Sequence, residues 1–383
     1  MPYTILVHRF DAKFIIAILL ILGSGASIID SSIKVIREIR EYDAVMAHRI
    51  TLPRLEKPAS IIAKGLYLTA ASAAHSLTRR HIIDLINRTE LNAVVIDIKD
   101  YTGRVLYDSK IALVDELGLD RGVLKVKSVI DDFKKNGIYV IARQTVFQDP
   151  LLARAKPEWA VRTPTGALWK DYKQISWVDP TRKEVWEYNL AIAREAARLG
   201  FDEINFDYVR FPSDGDISTA SYSSIKESKA ETIASFFRFL KKEMKREPVF
   251  TSLDLFGLVL ESGDFDLNIG QTLAGAADTV NYIYPMTYPS HYPRGHLNMT
   301  NPADHPYEVI KHGLASADPI IAGSSTKLRP WLQAFDLGAV YDGEKIRLEI
   351  MATEEASSTV GWMLWNASNE YSDKGLRPDE KNS

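Results

Sequence analysis

Residues 201–212 read FDEINFDYVRFP, a short run of apolar and β-forming side chains interrupted by charged ones. The part from 203 to 210 predicts a β-strand. Asn205 and Asp207 share one side of that strand, and Arg210 lies on the other. A carboxylate near the end of an apolar strand is costly to bury unless it is paired or takes part in chemistry. The stretch therefore predicts a strand that presents Asp207 near its carboxyl end.

The residues before this strand predict a helix. Asp179 and Pro180 form an N-cap followed by proline at the first helical position, and Gly200 is a C-terminal signal. A helix that leads directly into a buried strand is the repeating unit of an α/β fold.

The same unit recurs along residues 61–375. Several runs, such as NAVVIDI (92–98), are almost continuously apolar, which is typical of parallel strands covered on both faces. Eight strands that alternate with helices predict an α/β protein with a (β/α)8 barrel, the TIM-barrel fold. The predicted strands are 63–69, 93–99, 139–145, 203–210, 249–255, 280–286, 327–333 and 360–365. One further helix is predicted to begin at Arg79, with Thr78 as its N-cap. The other predicted helices cover 123–135, 224–246, 306–315 and 343–356.

A doubly wound open sheet is the main alternative to the barrel. That fold would show a glycine-rich phosphate-binding turn after its first strand, and Gly65-Leu66-Tyr67 is not such a turn. Residues 366–383, which follow the eighth strand, are polar, so the last helix of the barrel is expected to be short or missing. We expect a helix predicted over residues 31–50 to pack in its place.

The first 30 residues have the pattern of a secretory signal peptide. Basic side chains precede the apolar run FIIAILLIL at 14–22, and small residues offer a cleavage site near Ala26. The pattern fits a cleaved signal or an uncleaved membrane anchor, with a buried helix as the alternative. If the segment is a signal or an anchor, the rest of the chain is expected outside the cytoplasm, either secreted or anchored to the cell membrane. This part consists of a helical extension and linker (31–60) and the barrel (61–375).

Composition narrows the classes of function. The 383 residues include 47 Lys+Arg and 50 Asp+Glu, with a net charge of −3, and the basic residues do not cluster. Binding to nucleic acid is therefore not expected. The absence of cysteine excludes disulfides, thiolate zinc sites and cysteine nucleophiles.

In a barrel of this type the active site lies at the carboxyl ends of the strands. Asp207 near the end of the fourth strand is the predicted catalytic carboxylate, with a structural pair to Arg210 as the alternative. Asp254 holds the equivalent position on the fifth strand and is the predicted second carboxylate; a turn-forming aspartate before Gly257 is the alternative. Glu203 starts its strand, at the end that stabilises the barrel, and is discounted.

Further polar residues near strand ends predict substrate contacts. Asp97 and Lys99 share one parity and are both predicted to point inward, where they could form a salt bridge or bind hydroxyl groups. Arg143 is predicted to bind substrate or to balance the charge of Asp97 or Asp207, and Arg210 to bind substrate beside Asp207.

The sixth to eighth strands add aromatic side chains, which bind sugars through flat faces and hydrogen bonds. The predicted sugar-binding residues here are Tyr284, Tyr288, Trp331, Gln333 and Trp365, with core packing as the alternative for the tryptophans.

The histidines do not suggest a metal site. His291, His296 and His305 lie in one loop, and no carboxylate stands at helical i,i+3 or i,i+4 spacing from them. No metal and no cofactor is predicted.

Four blocks of sequence, in order, resemble a bacterial glycoside hydrolase domain family first described as a domain of unknown function. They are WVDPTRKEVWEY…FDEINFDYVRFP, YIYPMTYPSHY, RPWLQAF and GWMLWNASN, and the likeness covers about residues 61–370. The pattern is also similar to wider groups of glycoside-hydrolase-like barrels in which an aspartate of the fourth strand is taken as catalytic. The resemblance implies a TIM barrel and matches that aspartate to Asp207, whereas the role of Asp254 is inferred from its position.

Two hypotheses of function follow. The first is an enzyme that hydrolyses O-glycosidic bonds of a polysaccharide or oligosaccharide outside the cytoplasm, with a pair of carboxyl groups as acid and base or nucleophile. The second is a catalytically inactive barrel that binds glycans or acts as a scaffold at the cell envelope. A second carboxyl group beside Asp207 across an open cleft favours the enzyme. A metal-dependent hydrolase of another ester or amide is a third and weaker alternative, because the strand ends lack the usual histidine pairs.

Overall fold

The computed structural model describes residues 56–224 and 227–379, in which a closed sheet of parallel strands forms a barrel. Closure depends on β1, which pairs in parallel with both β2 and β11, and the predicted (β/α)8 fold is confirmed. The strands are β1 (Ala63–Leu68), β2 (Ala93–Lys99), β3 (Val105–Tyr107), β4 (Asp120–Leu124), β5 (Tyr139–Thr145), β6 (Glu203–Asp207), β7 (Phe250–Phe256), β8 (Tyr282–Met286), β9 (Lys327–Leu328), β10 (Trp331–Gln333) and β11 (Gly361–Trp365).

The seventh strand of the barrel is split into β9 and β10. Both pieces pair in parallel with β8, and β10 also pairs with β11. Pro330 lies between them and has no N–H to donate, so the hydrogen-bond ladder is interrupted at this point.

Strands β3 and β4 lie outside the barrel and were not predicted. β3 runs antiparallel to the end of β2 and pairs in parallel with β4. Both are short and β4 is partly exposed, so neither has the long apolar run from which the barrel strands are predicted.

Helices cover the outside of the barrel. They are α1 (Ala70–Ala74), α2 (Ser76–Arg88), α3 (Ala112–Glu116), α4 (Val126–Lys134), α5 (Pro150–Ala155), α6 (Lys183–Leu199), α7 (Lys229–Met244), α8 (Leu273–Ala276), α9 (Pro306–Ile321) and α10 (Gly343–Glu354). The helix ends are where the sequence predictions are least accurate. Thr78 lies inside α2, which His75 caps.

Asp179 is a turn residue and does not cap α6, so that prediction is wrong. Its Oδ1 accepts hydrogen bonds from the Thr181 N–H and hydroxyl, and its Oδ2 accepts from Ser223. The helix therefore begins later, at Lys183. Its predicted end is confirmed, since Gly200 follows it with a φ of 103°, a left-handed conformation that suits glycine.

The described residues after β11, 366–379, contain no α-helix, as expected for the last helix of the barrel. Instead this tail returns to β1, where Asn369 Oδ1 accepts from the Thr69 N–H and the Tyr371 hydroxyl donates to the Tyr67 carbonyl. The predicted signal or anchor and the helix over 31–50 lie outside the described residues. No described helix is long and apolar enough to cross a membrane.

The barrel interior holds aromatic side chains and a buried ion pair. Arg329 Nη1 lies 2.9 Å from Glu203 Oε2, and both side chains are fully buried. The Tyr284 hydroxyl donates to Glu203 Oε1 at 2.6 Å and accepts from Arg329. Glu203 begins β6, so this cluster fills the amino-terminal end of the barrel and leaves the carboxyl end for the site.

Candidate active site

A cavity of about 410 Å³ opens at the carboxyl ends of the barrel strands. The last residue of β6, Asp207, lies in its wall together with Asp254 of β7. The structure therefore brings the two predicted carboxylates together. The other predicted site residues that line the cavity are Arg143, Arg210, Tyr288, Trp331 and Trp365.

Arg143 at the end of β5 connects three carboxylates through one guanidinium group. Its Nη1 lies 2.6 Å from Asp97 Oδ1, its Nη2 pairs with Asp207 Oδ2, and its Nε lies 3.6 Å from Asp254 Oδ2. Burial disfavours the charged guanidinium, but Asp97 and Asp207 outweigh it and raise the pKa of Arg143 well above its usual value. The charge-balancing role predicted for Arg143 is what these ion pairs show.

Asp254 is held in an environment that favours its protonated form. Its Oδ1 accepts from Asn205 Nδ2 at 2.8 Å and from Trp331 Nε1 at 2.9 Å, and only 1% of the residue is exposed. Burial, reinforced by the negative charge of Asp207, raises the pKa of Asp254 well above its usual value, although Arg143 and these two hydrogen bonds oppose the shift. One cation cannot compensate three buried anions, and Asp254 lies farther from the shared guanidinium than Asp97 and Asp207 do, so it is the group suited to hold a proton.

Asp207 lies where the chain leaves β6 in a strained conformation. The next residue, Tyr208, has a φ of 53°, in the left-handed region that non-glycine residues seldom adopt. Its N–H donates to Asp207 Oδ1 at 2.5 Å, while Oδ2 pairs with Arg143. The backbone turn therefore holds the Asp207 carboxylate in one orientation, as is common at functional sites.

Aromatic side chains surround the charged groups. The Trp365 ring stacks on Tyr67 with centroids 4.0 Å apart, and the Trp331 ring meets Trp365 edge-on at 5.4 Å. The Arg143 guanidinium lies over Trp365, 4.9 Å from the ring centroid. Both tryptophans line the cavity and also pack against the core, and their binding of sugars stays a prediction.

Lys99 does not point into the barrel, and that prediction is wrong. A β-bulge between Asp97 and Lys99 adds one residue to β2, which turns the following side chain to the opposite face. Lys99 Nζ instead lies 2.8 Å from Asp149 Oδ2 and 3.3 Å from Asn189 Oδ1 of α6. Asp97 stays inside but lies behind Arg143, where it accepts from the Tyr67 hydroxyl at 2.5 Å.

Tyr284 and Gln333 do not line the cavity either, so both are corrected from substrate-binding to structural residues. Tyr284 belongs to the cluster of Glu203 and Arg329 in the barrel interior. Gln333 is fully buried, donates to the Phe335 carbonyl at 3.0 Å and accepts from the backbone N–H of a neighbouring loop at 3.2 Å. A strand-end position does not by itself reveal such partners.

Several residues of the cavity were not predicted as site residues. Asn205 lies behind the cavity wall, where it donates to Asp254 Oδ1; it shares the side of β6 that carries Asp207, and this shared parity is a signal that could have identified it. His291 and Tyr292 also line the wall, and the signal for them is the tyrosine-rich loop after the sixth predicted strand, which offers flat amphipathic rings. No comparable signal marks Tyr208, Phe256 and Met286. Among the described residues, no group of histidine, aspartate and glutamate side chains is arranged to hold a metal ion.

Residues 65–371 match the model of a family described as "Putative glycosyl hydrolase domain". The chain belongs to this family. The resemblance found in the sequence is thereby confirmed for this glycosyl hydrolase domain. No curated protein matches this chain significantly.

Three solved structures are also similar to this chain. A hypothetical protein from Ruminiclostridium thermocellum is 40% identical over 50% of this chain and 97% of its own, with a TM-score of 0.46. The PgaB (BpsB) glycoside hydrolase domain from Bordetella bronchiseptica is 13% identical over 81% of this chain and 95% of its own (TM-score 0.59). The α-galactosidase TtGalA from Thermus thermophilus is 11% identical over 85% of this chain and 62% of its own (TM-score 0.50). These last two show a shared fold, and the catalytic roles of Asp207 and Asp254 stay predictions.

Proposed function

We propose that this protein is a glycosidase that cleaves O-glycosidic bonds of an extracytoplasmic polysaccharide, with Asp254 as general acid and Asp207 as the second catalytic carboxylate. The observation that carries the proposal is the pair of carboxyl groups that share Arg143 in the wall of one cavity. Their environments differ, since burial favours the protonated form of Asp254 while Asp207 pairs closely with the guanidinium. Two carboxyl groups in opposite protonation states are what glycoside hydrolysis requires.

The reaction assigns one task to each carboxyl group. Asp254 gives its proton to the glycosidic oxygen, which leaves with the electron pair of the broken C–O bond. Asp207 attacks the anomeric carbon or removes a proton from the water that does so, and water supplies the hydroxyl group of the product. In both mechanisms, direct attack by Asp207 or activation of water, a proton returns to Asp254 at the end of the catalytic cycle. Arg143 positions Asp207 throughout, because it holds Oδ2 while the Tyr208 N–H holds Oδ1.

The aromatic side chains of the cavity supply surfaces for sugar rings. Trp365 and Tyr288 combine flat apolar faces with polar edges, which is the chemistry of sugar recognition. The family description supports hydrolysis of glycosidic bonds, and so does the fold that this chain shares with glycoside hydrolases of known structure. The location outside the cytoplasm is supported by the signal-like pattern of the first 30 residues.

The test is release of reducing ends from a panel of bacterial polysaccharides by the full-length protein. We expect Asp207→Asn and Asp254→Asn each to lower the rate by at least about 100-fold, because each removes a group that acts in the transition state. Asp84→Asn changes an exposed aspartate of α2 in the same way and serves as the matched control. Cleavage that survives both active-site substitutions would overturn the assignment. If the unmodified protein cleaves no polysaccharide but binds one, and the Asn variants bind it equally well, the inactive glycan-binding barrel is the better description.

A further inference from the structure

Arg210 is a buried cation in the wall of the cavity. It lies three residues after Asp207, at the start of the loop that follows β6, and 7% of the residue is exposed. Its Nη1 donates to the Phe211 carbonyl and to Ser213 Oγ, both at 3.1 Å. Within residues 56–224 and 227–379, no acceptor lies at hydrogen-bond distance from its Nε or Nη2, and no carboxylate oxygen lies within 4.0 Å.

The other buried cations of the described residues have carboxylate partners. Lys99 pairs with Asp149, Arg143 with Asp97 and Asp207, and Arg329 with Glu203. Burying a charge without a partner is costly, and proteins ordinarily avoid it. Arg210 thus departs from the rule that the rest of the described barrel follows.

Three aromatic rings hold the guanidinium in place. Its central carbon lies 5.0 Å from the centroid of Trp177, 4.8 Å from that of Phe256 and 5.4 Å from that of Tyr208. Such contacts offset part of the cost of burying the cation and restrict its orientation, but they leave its hydrogen-bond donors available. The rings therefore build a fixed cationic group into the wall of the cavity.

The two guanidinium groups that line the cavity differ in their partners. Arg143 pairs with Asp97 and Asp207, and its Nε lies 3.6 Å from Asp254 Oδ2. Arg210 forms no ion pair with any of these carboxylates, although it lines the same cavity as Asp207 and Asp254. It is therefore the cation of this cavity that has donors left for a ligand.

We propose that Arg210 binds an anionic group on the substrate, a carboxylate of a uronic acid or a sulfate or phosphate ester, so that the protein acts on an acidic glycan. A guanidinium donates two parallel N–H groups to such an anion, and the free Nε and Nη2 are adjacent donors of this kind. The proposal rests on the proposed function, because it takes the cavity to be the sugar-binding site.

The test separates binding from cleavage by using full-length protein with Asp254→Asn, which preserves the uncharged state of that residue. Calorimetry measures the affinity for oligogalacturonate and oligoglucuronate, for sulfated and phosphorylated oligosaccharides, and for neutral oligosaccharides of the same length. We expect at least one acidic glycan to bind about tenfold or more tightly than its neutral counterpart, with an affinity that falls as salt increases. The acidic class that binds distinguishes a carboxylate from an ester.

Substitutions then assign the preference to Arg210. Arg210→Gln is expected to abolish the acidic preference, and Arg210→Lys to retain part of it because the charge remains. Arg121→Gln, which removes an exposed arginine of β4, should leave the preference unchanged. The proposal is overturned if no acidic glycan binds better than its neutral counterpart with Arg210 in place, or if the preference persists in a folded Arg210→Gln protein.

A failure of the anion site can be distinguished from a failure of the proposed glycosidase function. If neutral glycans are cleaved and no acidic preference exists, the glycosidase stands and the anion site fails. If an Arg210-dependent preference exists but the protein without Asp254→Asn cleaves no glycan, the anion site stands and the glycosidase fails.

Discussion

Asp207 and Asp254 lie in different environments although they belong to neighbouring strands of one barrel. Asp254 is almost fully enclosed, and its Oδ1 accepts from Asn205 and Trp331. Asp207 pairs closely with Arg143, whereas Asp254 lies 3.6 Å from the same guanidinium. At the scale of single residues, desolvation and the position of one arginine decide which carboxyl group can act as the acid.

Trp331→Phe should move the alkaline limb of the pH–rate profile to higher pH. The indole N–H stabilises the ionised form of Asp254, so its removal raises the pKa of that carboxyl group further. The measurement is kcat/KM against pH on the polysaccharide that the protein cleaves. Trp365→Phe is the matched control, because Trp365 lines the same cavity and forms no hydrogen bond with Asp254. This variant should change KM and leave the alkaline limb in place. A limb that stays put or moves to lower pH in Trp331→Phe would contradict the role of Asp254 as the acid.

At the scale of elements, one extra residue in β2 separates two side chains that simple alternation would place together. Asp97 remains inside the barrel with Arg143, whereas Lys99 turns outward to Asp149 and to Asn189 of α6. The ion pair of Lys99 and Asp149 is fully buried and connects β2 to the first turn of α5, which Asp149 caps. Lys99 therefore stabilises the packing of elements around the barrel and does not contact the cavity.

Lys99→Met should destabilise the protein without weakening the binding of a glycan. The substitution leaves the Asp149 carboxylate buried without its cation, which costs about 3–5 kcal/mol. The free energy of unfolding in urea, measured beside glycan affinity, tests both parts. The double variant Lys99→Met with Asp149→Asn removes the stranded charge and keeps the cap, so it should recover much of the loss. Reduced glycan affinity in folded Lys99→Met protein would show that Lys99 contributes to substrate binding.

At the scale of the whole molecule, the two ends of the barrel use buried charge differently. At the amino-terminal end, Glu203 and Arg329 form one ion pair, and the Tyr284 hydroxyl donates a hydrogen bond to Glu203 and accepts one from Arg329. At the carboxyl end, Arg143 is shared among three carboxylates beside an open cavity. The first arrangement stabilises the fold, and the second leaves groups whose protonation can change during a reaction.

The contribution of Glu261, which lies beyond β7, to the stability of the protein should fall as pH rises from about 4.5 to about 7. Burial raises the pKa of Glu261 to about 7 from its ordinary value of 4.5. Its neighbours His312 and His296 lie 3.4 Å and 3.7 Å away through Nε2, and burial lowers the pKa of His296. In this pH window the unfolded chain ionises Glu261 while the folded protein resists ionisation, so the contribution is complete below the window and lost above it.

Glu261→Gln isolates this contribution. Because water still reaches part of the carboxyl group, we expect the variant to be more stable than the parent by about 1 kcal/mol at pH 8 and no more stable at pH 4. The free energy of unfolding across pH 4–8 measures the difference, and Glu116→Gln, at an exposed glutamate of α3, is the control. Equal pH dependence in parent and Glu261→Gln protein would show that Glu261 ionises in the folded state as easily as in the unfolded one.

The barrel and the positions of the carboxylates follow from the sequence alone. Long apolar runs such as 93–98 identify the barrel strands because burial on both faces requires side chains that need no polar partner. A polar residue at the end of such a run is conspicuous for the same reason, which is how Asp207 and Asp254 were found. Short or partly exposed elements, such as β3 and β4, lack this pattern and were missed.

Only the tertiary structure decides which of these polar residues act together. Three features depend on residues distant in the chain. They are the bulge that turns Lys99 outward, the backbone N–H of Ser290 that donates to Gln333, and the arginine shared by three aspartates. Burial and electrostatic neighbours set protonation states and side-chain orientation, and both arise only when the strands close into a barrel. The sequence by itself determines where carboxylates can stand, and the closed barrel determines that Asp254 is suited to hold the proton and that Arg210 lacks a carboxylate partner among the described residues.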